Sequence, residues 1–252
     1  ILTKLNNCFI IKSMFLLLKL YFYKYEGVSM KNFNKAFTLA EVLITLGIIG
    51  IVAAMTLPTV LSKYREQVVL TKLKRVYSVM NQAITRSMVD NGSTLYWENT
   101  LDPIDFYNKY YKGYLKVTKI EELGEANDNG ILLYFADGSL LKCFRQGRDY
   151  NFFIDNKRYK NDPESLIYGK DVFSFRFNDD LGAQTAVEAK FHIGKKFEPY
   201  KHAWDGTEET LYTDTNFGCN NKKHYSGQQA DYCTALIQYH NWSIPEDYPI
   251  KF

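Results

Sequence analysis

The sequence predicts an α+β protein: a long, kinked N-terminal helix whose first half can anchor in a membrane, packed on a small antiparallel sheet of about four strands, with a long C-terminal loop region. Three observations carry this. Residues 37–57 form a run of 21 with one charge, Glu41, and roughly 20 apolar residues in a helix cross a bilayer's hydrocarbon core. Beyond Pro58, apolar residues recur at three- and four-residue steps. Beyond Asn91, short aromatic and branched runs alternate with turn residues.

In the second half of the helix, Leu61, Val68, Val69, Leu73, Val76, Tyr77, Met80, Ile84 and Met88 make one face, and Lys63, Arg65, Glu66, Lys72, Lys74 and Arg75 fall between them. That is an amphipathic pattern. Pro58 lacks an N–H and kinks the rod rather than ending it, and Asn91-Gly92 is the first convincing stop. Thr38 to Asp90 is 53 residues, ~80 Å as helix. The second half therefore lies against the protein's own head, the first against lipid or other subunits.

The head follows from residue 91. Asp102-Pro103 reads as the N-cap and first residue of a short helix through Tyr110. Strand candidates are 131–136, 139–144, 151–155 and 171–177, and Asp137-Gly138 between the first two is the strongest hairpin signal in the chain.

Glu41 needs a reason to sit in an apolar run, because a carboxylate there is unfavourable unless it has a partner or a purpose. As a T-x-x-E capping box, Thr38 and Glu41 would satisfy backbone N–H groups at the positive end of the helix. As a secretory signal, Met30 to Lys35 would be the basic region, Val42 to Val52 the apolar region and Val52-Ala53-Ala54 the cleavage site, releasing a soluble protein near Ala54. A third reading takes in more of the letters: a short basic leader (Met30 to Lys35), a small residue (Ala36), then Phe37-Thr38-Leu39-Ala40-Glu41 and the apolar run.

This stretch resembles the N-terminal signature of type IV pilins and type II secretion pseudopilins. The resemblance implies that a prepilin peptidase cuts between Ala36 and Phe37, that the new amino terminus is N-methylated and that the helix stays attached. Ala36 stands where most family members have Gly. Glu41 becomes the fifth residue of the processed chain and Pro58 the twenty-second, where the family carries its Glu and often a helix-kinking Pro. Paired with the charged amine of a neighbouring Phe37, Glu41 would select the stagger of packed helices, since a lone buried charge is costly and a paired one much less so. The head resembles pseudopilin-type heads more faintly, in "ADGSLLKCF", "FFIDNKRY" and "GKDVFSFRF", although Asp155-Asn156-Lys157 lacks the family's Gly. The closing "CTALIQYHNWSIPEDYPIKF" is similar to the end of some secretion-type prepilin-like proteins.

The layout expected from this is an over-extended start at 1–29, a leader at 30–36, the transmembrane and assembly half of the helix at 37–58, its amphipathic half at 59–90 and the head at 91–252. Residues 1–29 begin with Ile, and Glu26-Gly27-Val28 back-translates to a ribosome-binding-like GGAG, so translation is expected to start at Met30. Residues 1–36 hold six Lys and one Glu, so removing them turns the net charge from +3 to about −2. No basic domain remains, and Lys72, Lys74 and Arg75 read as a solvated helix face rather than a nucleic-acid footprint.

An exported head meets an oxidising compartment, and Cys219 with Cys233 would close a C-terminal loop like the disulfide-bounded loops of many pilins. Such a closure is worth about 3 kcal/mol in the chain-entropy estimate. Cys143, on a strand candidate, reads as a buried thiol. His192, His202, His224 and His240 match no H-E-x-x-H or Cys/His spacing, and there is no Gly-rich phosphate loop or G-x-S-x-G elbow. No cofactor is expected; Asp205, Asp214 and Asp231 are the one calcium candidate, on loops without a recognised ligand spacing. Trp204, Trp242 and the tyrosines are expected to pack the core, with a glycan-binding face as the alternative.

The resemblance thus implies a structural subunit, not an enzyme, held in the inner membrane by a single pass with its head outside the cytoplasm. Its partners would be a prepilin peptidase, other pilin or pseudopilin subunits and the inner-membrane assembly machinery. A minor pilin acting as a surface-binding module, and a soluble protein released near Ala54, stay open as alternatives.

Overall fold

The structure, a computed structural model, describes residues 39–124, 130–145, 147–178, 196–220 and 230–252. The chain divides between Met55 and Thr56 into two compact units. Helix α1, Leu39–Asn91, runs through Pro58 without ending. It stops where the sequence supplies Gly92 at φ 74°, a left-handed conformation that glycine adopts without steric cost.

Within the second unit, α1 buries Val69, Leu70, Leu73, Val76, Met80, Ala83, Ile84 and Ser87, a stripe at helical spacing. Leu61 and Val68 of the expected face lie outside this stripe, and Leu70, Ala83 and Ser87 enter it. The stripe packs with an aromatic-rich core that includes Phe106, Tyr111, Tyr150, Phe152, Phe175 and Phe197. Helix α2, Pro103–Tyr110, starts where Asp102-Pro103 predicts, although the Asp102 side chain makes no capping bond and the missing proline N–H alone sets the start.

The sheet is an antiparallel meander in sequence order: β1 Lys119–Glu122, β2 Ile131–Tyr134, β3 Leu140–Phe144, β4 Asp149–Phe153, β5 Val172–Phe177 and β6 Phe197–Pro199. Among the described residues it has six strands where about four were expected. The two additions are the edges: β1 reads KIEE, three of its four residues charged, and β6 has only three residues and contains Pro199, so neither carries the alternating pattern of a half-buried strand. Alternate residues serve two clusters, Ile131 and Leu133 the main core and Leu132 and Tyr134 a smaller one with Leu140, Phe153 and Val172.

The β2–β3 turn is held to α1. Asp137 accepts from the Ser139 N–H (3.0 Å) and hydroxyl (2.6 Å) and pairs with Arg75 at 2.5 Å. Lys72 donates to the carbonyls of Asp137 (3.1 Å) and Ile154 (2.8 Å). Of the three cations expected to be solvated, only Lys74 is left as such; the other two fasten the hairpin. Asn81 of α1 closes the outer side of β6, donating to the Phe197 carbonyl at 2.8 Å and accepting its N–H at 3.1 Å, which covers an edge that would otherwise present open backbone groups.

After β4, Asp155 caps helix α3, Asn156–Asn161, by accepting the Lys157 N–H, so the missing glycine is replaced by a helix start. The C-terminal region is less loop-like than expected: it contains α4, Glu208–Thr213, and α5, Cys233–Tyr239. Glu198 of β6 is buried and accepts from the Tyr77 hydroxyl (2.8 Å) and the Gln238 amide (2.9 Å), joining α1, the sheet and α5.

Candidate functional site

The first half of α1 is built to be covered. Leu39, Leu43, Ile44, Leu46, Ile49, Ile51, Met55 and Leu57 are all exposed, each by more than half of its surface. Scattered apolar residues on a surface need no explanation, but a contiguous run of this size marks a protein or membrane contact. The helix contains a span long and apolar enough to cross a membrane. Thr45, a polar residue inside the run, returns its hydroxyl to the Val42 carbonyl at 2.9 Å, satisfying itself within the helix as a group in hydrocarbon must.

Glu41 lies in the first turn of α1 and is exposed. Pro58 lies inside the helix. Ala36, Phe37 and Thr38 fall outside the described residues, as do His192 and His224.

The remaining sequence candidates are scattered through the head. Cys219 and Cys233 are bonded to each other, buried, with Cα atoms 4.6 Å apart. Against this bond lies Gly169 at φ 82°, where an added Cβ would come within 2.5 Å of the Cys233 Sγ and of Ile250. The Tyr248 hydroxyl donates to the Gly169 carbonyl at 2.6 Å, which seats the C-terminal segment on the turn before β5. Cys143 is buried, and burial pushes its thiol up to about 12, which leaves little thiolate and an inert side chain.

The three aspartates considered for calcium do separate jobs. Asp205 accepts from Thr207 and Thr210, Asp214 accepts the N–H groups of Asn216 and Phe217, and Asp231 accepts from Ser174. Among the described residues no group of three or more His, Cys, Asp or Glu side chains could hold a metal ion. His202 meets Arg176 at 3.2 Å and His240 meets Glu208 at 2.7 Å. Trp204 is buried with its indole N–H on the Thr207 carbonyl, and Trp242 packs against Tyr77 at 4.8 Å.

The constellation that accords with a known signature is the N-terminal one. Residues 31–57 match the prokaryotic N-terminal methylation motif, the signature of type IV pilins and pseudopilins. A family of unknown function, DUF6613, matches residues 59–252. The chain belongs to this family. No curated protein and no solved structure matches it. In this DUF6613 member the two matches abut at Pro58, so one motif covers the apolar half of α1 and the other the rest of α1 and the head. The signature implies processing by a prepilin peptidase and assembly with other pilin subunits, and with one membrane-compatible helix among the described residues it fits a membrane-anchored structural subunit rather than an enzyme.

Sequence reasoning missed the Glu198 junction and the Asn81 clamp. Both join positions more than 100 residues apart in the chain, and a single polar letter between apolar ones carries no signal of a distant partner.

Proposed function

We propose that the protein is a prepilin-like structural subunit, cut between Ala36 and Phe37, N-methylated at Phe37, and assembled through α1 into a type IV pilus or type II secretion pseudopilus. The observation that carries the reading is the run-on of the methylation motif into an apolar helix whose side chains are left uncovered from Leu39 to Leu57. In water this surface is unfavourable at about 25 cal/mol per Å², so it supports a life in lipid and among neighbouring helices. The head faces away from the cytoplasm in this reading, and Pro58 bends the helix where it leaves the apolar half.

Glu41 then sets register. In the bundle its carboxylate meets the charged amine of a neighbour's Phe37, and a subunit that slips along the axis buries an unpaired charge, an arrangement worth several kcal/mol less. Glu41→Ala is expected to be processed normally yet fail to enter filaments, read by comparing the membrane-bound and sheared fractions from cells. Filaments at wild-type yield would defeat the register role.

A further inference from the structure

Lys72, Val76, Val79, Ala83 and Arg86 recur at three- and four-residue steps along α1, so they stand on one side of the helix. Val76 and Ala83 belong to the buried stripe, and this side as a whole is one wall of a cavity of about 270 Å³. The other walls come from three places: Phe135 just after β2, Phe152 of β4, and Tyr114 and Lys116 of the connection between α2 and β1. The cavity is therefore enclosed by elements that the fold brings together from distant parts of the chain.

Four cations line it, Lys72, Arg75, Arg86 and Lys116, against one carboxylate, Asp137. Two of the four already have work: Arg75 pairs with Asp137, and Lys72 donates to the carbonyls of Asp137 and Ile154. Arg86 and Lys116 make no hydrogen bond or ion pair among the described residues, and both are exposed. Their charges are open to a ligand. With the one carboxylate taken by Arg75, the lining keeps an excess of positive charge, and a cleft with low-dielectric walls focuses such a field on what enters it.

We propose that this cavity binds a small aromatic carboxylate. A guanidinium and an ammonium donate and never accept, so a carboxylate supplies the acceptor that Arg86 and Lys116 lack, and a guanidinium can hold it through two parallel N–H bonds. The remaining lining suits a flat ring: Val76, Val79, Phe135 and Phe152 give apolar surface, and the Tyr114 ring is held beside them by its hydroxyl, which donates to Asp90 at 2.6 Å. An apolar cavity of roughly 150 Å³ takes a benzene ring, so about 270 Å³ takes a fused bicyclic ring with a short acidic arm. Exposed ion pairs are individually weak. The ring therefore supplies the hold and the carboxylate the selectivity, and neither suffices alone.

The test is calorimetric titration of the full-length protein in a nonionic detergent with indole-3-acetate, 2-naphthoate, indole-3-acetamide and acetate, with titrations into detergent alone subtracted. Saturable binding of an aromatic acid is expected, with the neutral amide roughly twentyfold weaker and acetate not bound. Arg86→Gln and Lys116→Gln should each weaken the acid about fivefold and together roughly twentyfold; both side chains are exposed, so the fold is not at stake. Lys74→Gln, on α1 but outside the lining, should leave the affinity unchanged. Amide or acetate binding as tightly as the aromatic acids, no saturable binding of either acid, an affinity unchanged in the double variant, or a loss in Lys74→Gln equal to that in Arg86→Gln would each overturn the proposal.

Discussion

Asp231 sits behind Ser174 in the head, and burial pushes its carboxyl up to about 7; the Ser174 hydroxyl opposes this, the Asp149 carboxylate adds to it and Arg145 opposes it. In the unfolded chain the same group ionises near the ordinary value of about 3.9. Folding therefore takes up a proton between these two values. The contribution of Asp231 to stability is fully present below the ordinary carboxylate range, is lost as pH rises toward 7, and levels off above it. Asp231→Asn should remove this slope, leaving stability at about pH 3 little changed and raising it at about pH 8 by a few kcal/mol, ~4 at most. Denaturant unfolding of both proteins at the two pH values checks this; parallel wild-type and variant profiles would show that Asp231 is not the group that titrates.

Among the elements, α5 is the one fixed covalently: Cys233 at its start is bonded to Cys219, 14 residues earlier. A closed loop of this length restricts the unfolded chain by about 3 kcal/mol. Replacing both cysteines by serine should lower the unfolding free energy by roughly that amount, and reduction of the wild-type protein should match the variant; a loss under about 1 kcal/mol would mean that the packing of α5 holds without the bond. The elements that were legible in the sequence are those with a local cause. Helix α1 shows its period and its Asn91-Gly92 stop, α2 its Asp102-Pro103 start, and the β2–β3 hairpin its Asp137-Gly138 turn. Edges β1 and β6 were not legible, because a strand such as Phe197–Pro199 exists through its partners β5 and Asn81 rather than through its own three letters. Helices α4 and α5 were hidden for a similar reason, at six and seven residues too short to display a helical period. The buried polar face of β4 and β5 was the least legible feature, since Asp149, Ser174 and Arg176 occupy alternate strand positions, a pattern that from letters alone belongs to a solvated face.

The whole molecule combines a head with a closed core and a helix that leaves its apolar first half uncovered. Both follow from where the sequence changes character: one charge in residues 37–57, then an amphipathic stripe that packs with the sheet. The methylation motif at residues 31–57 was legible, because such a signature is a linear pattern and needs no tertiary partner. The most direct test of a processed, membrane-held subunit is mass spectrometry of the N-terminal peptide of the protein recovered from its native host's membrane fraction. The account predicts an N-methylated Phe37 as the first residue. A terminus near Met55, on protein found in the soluble fraction, would contradict it.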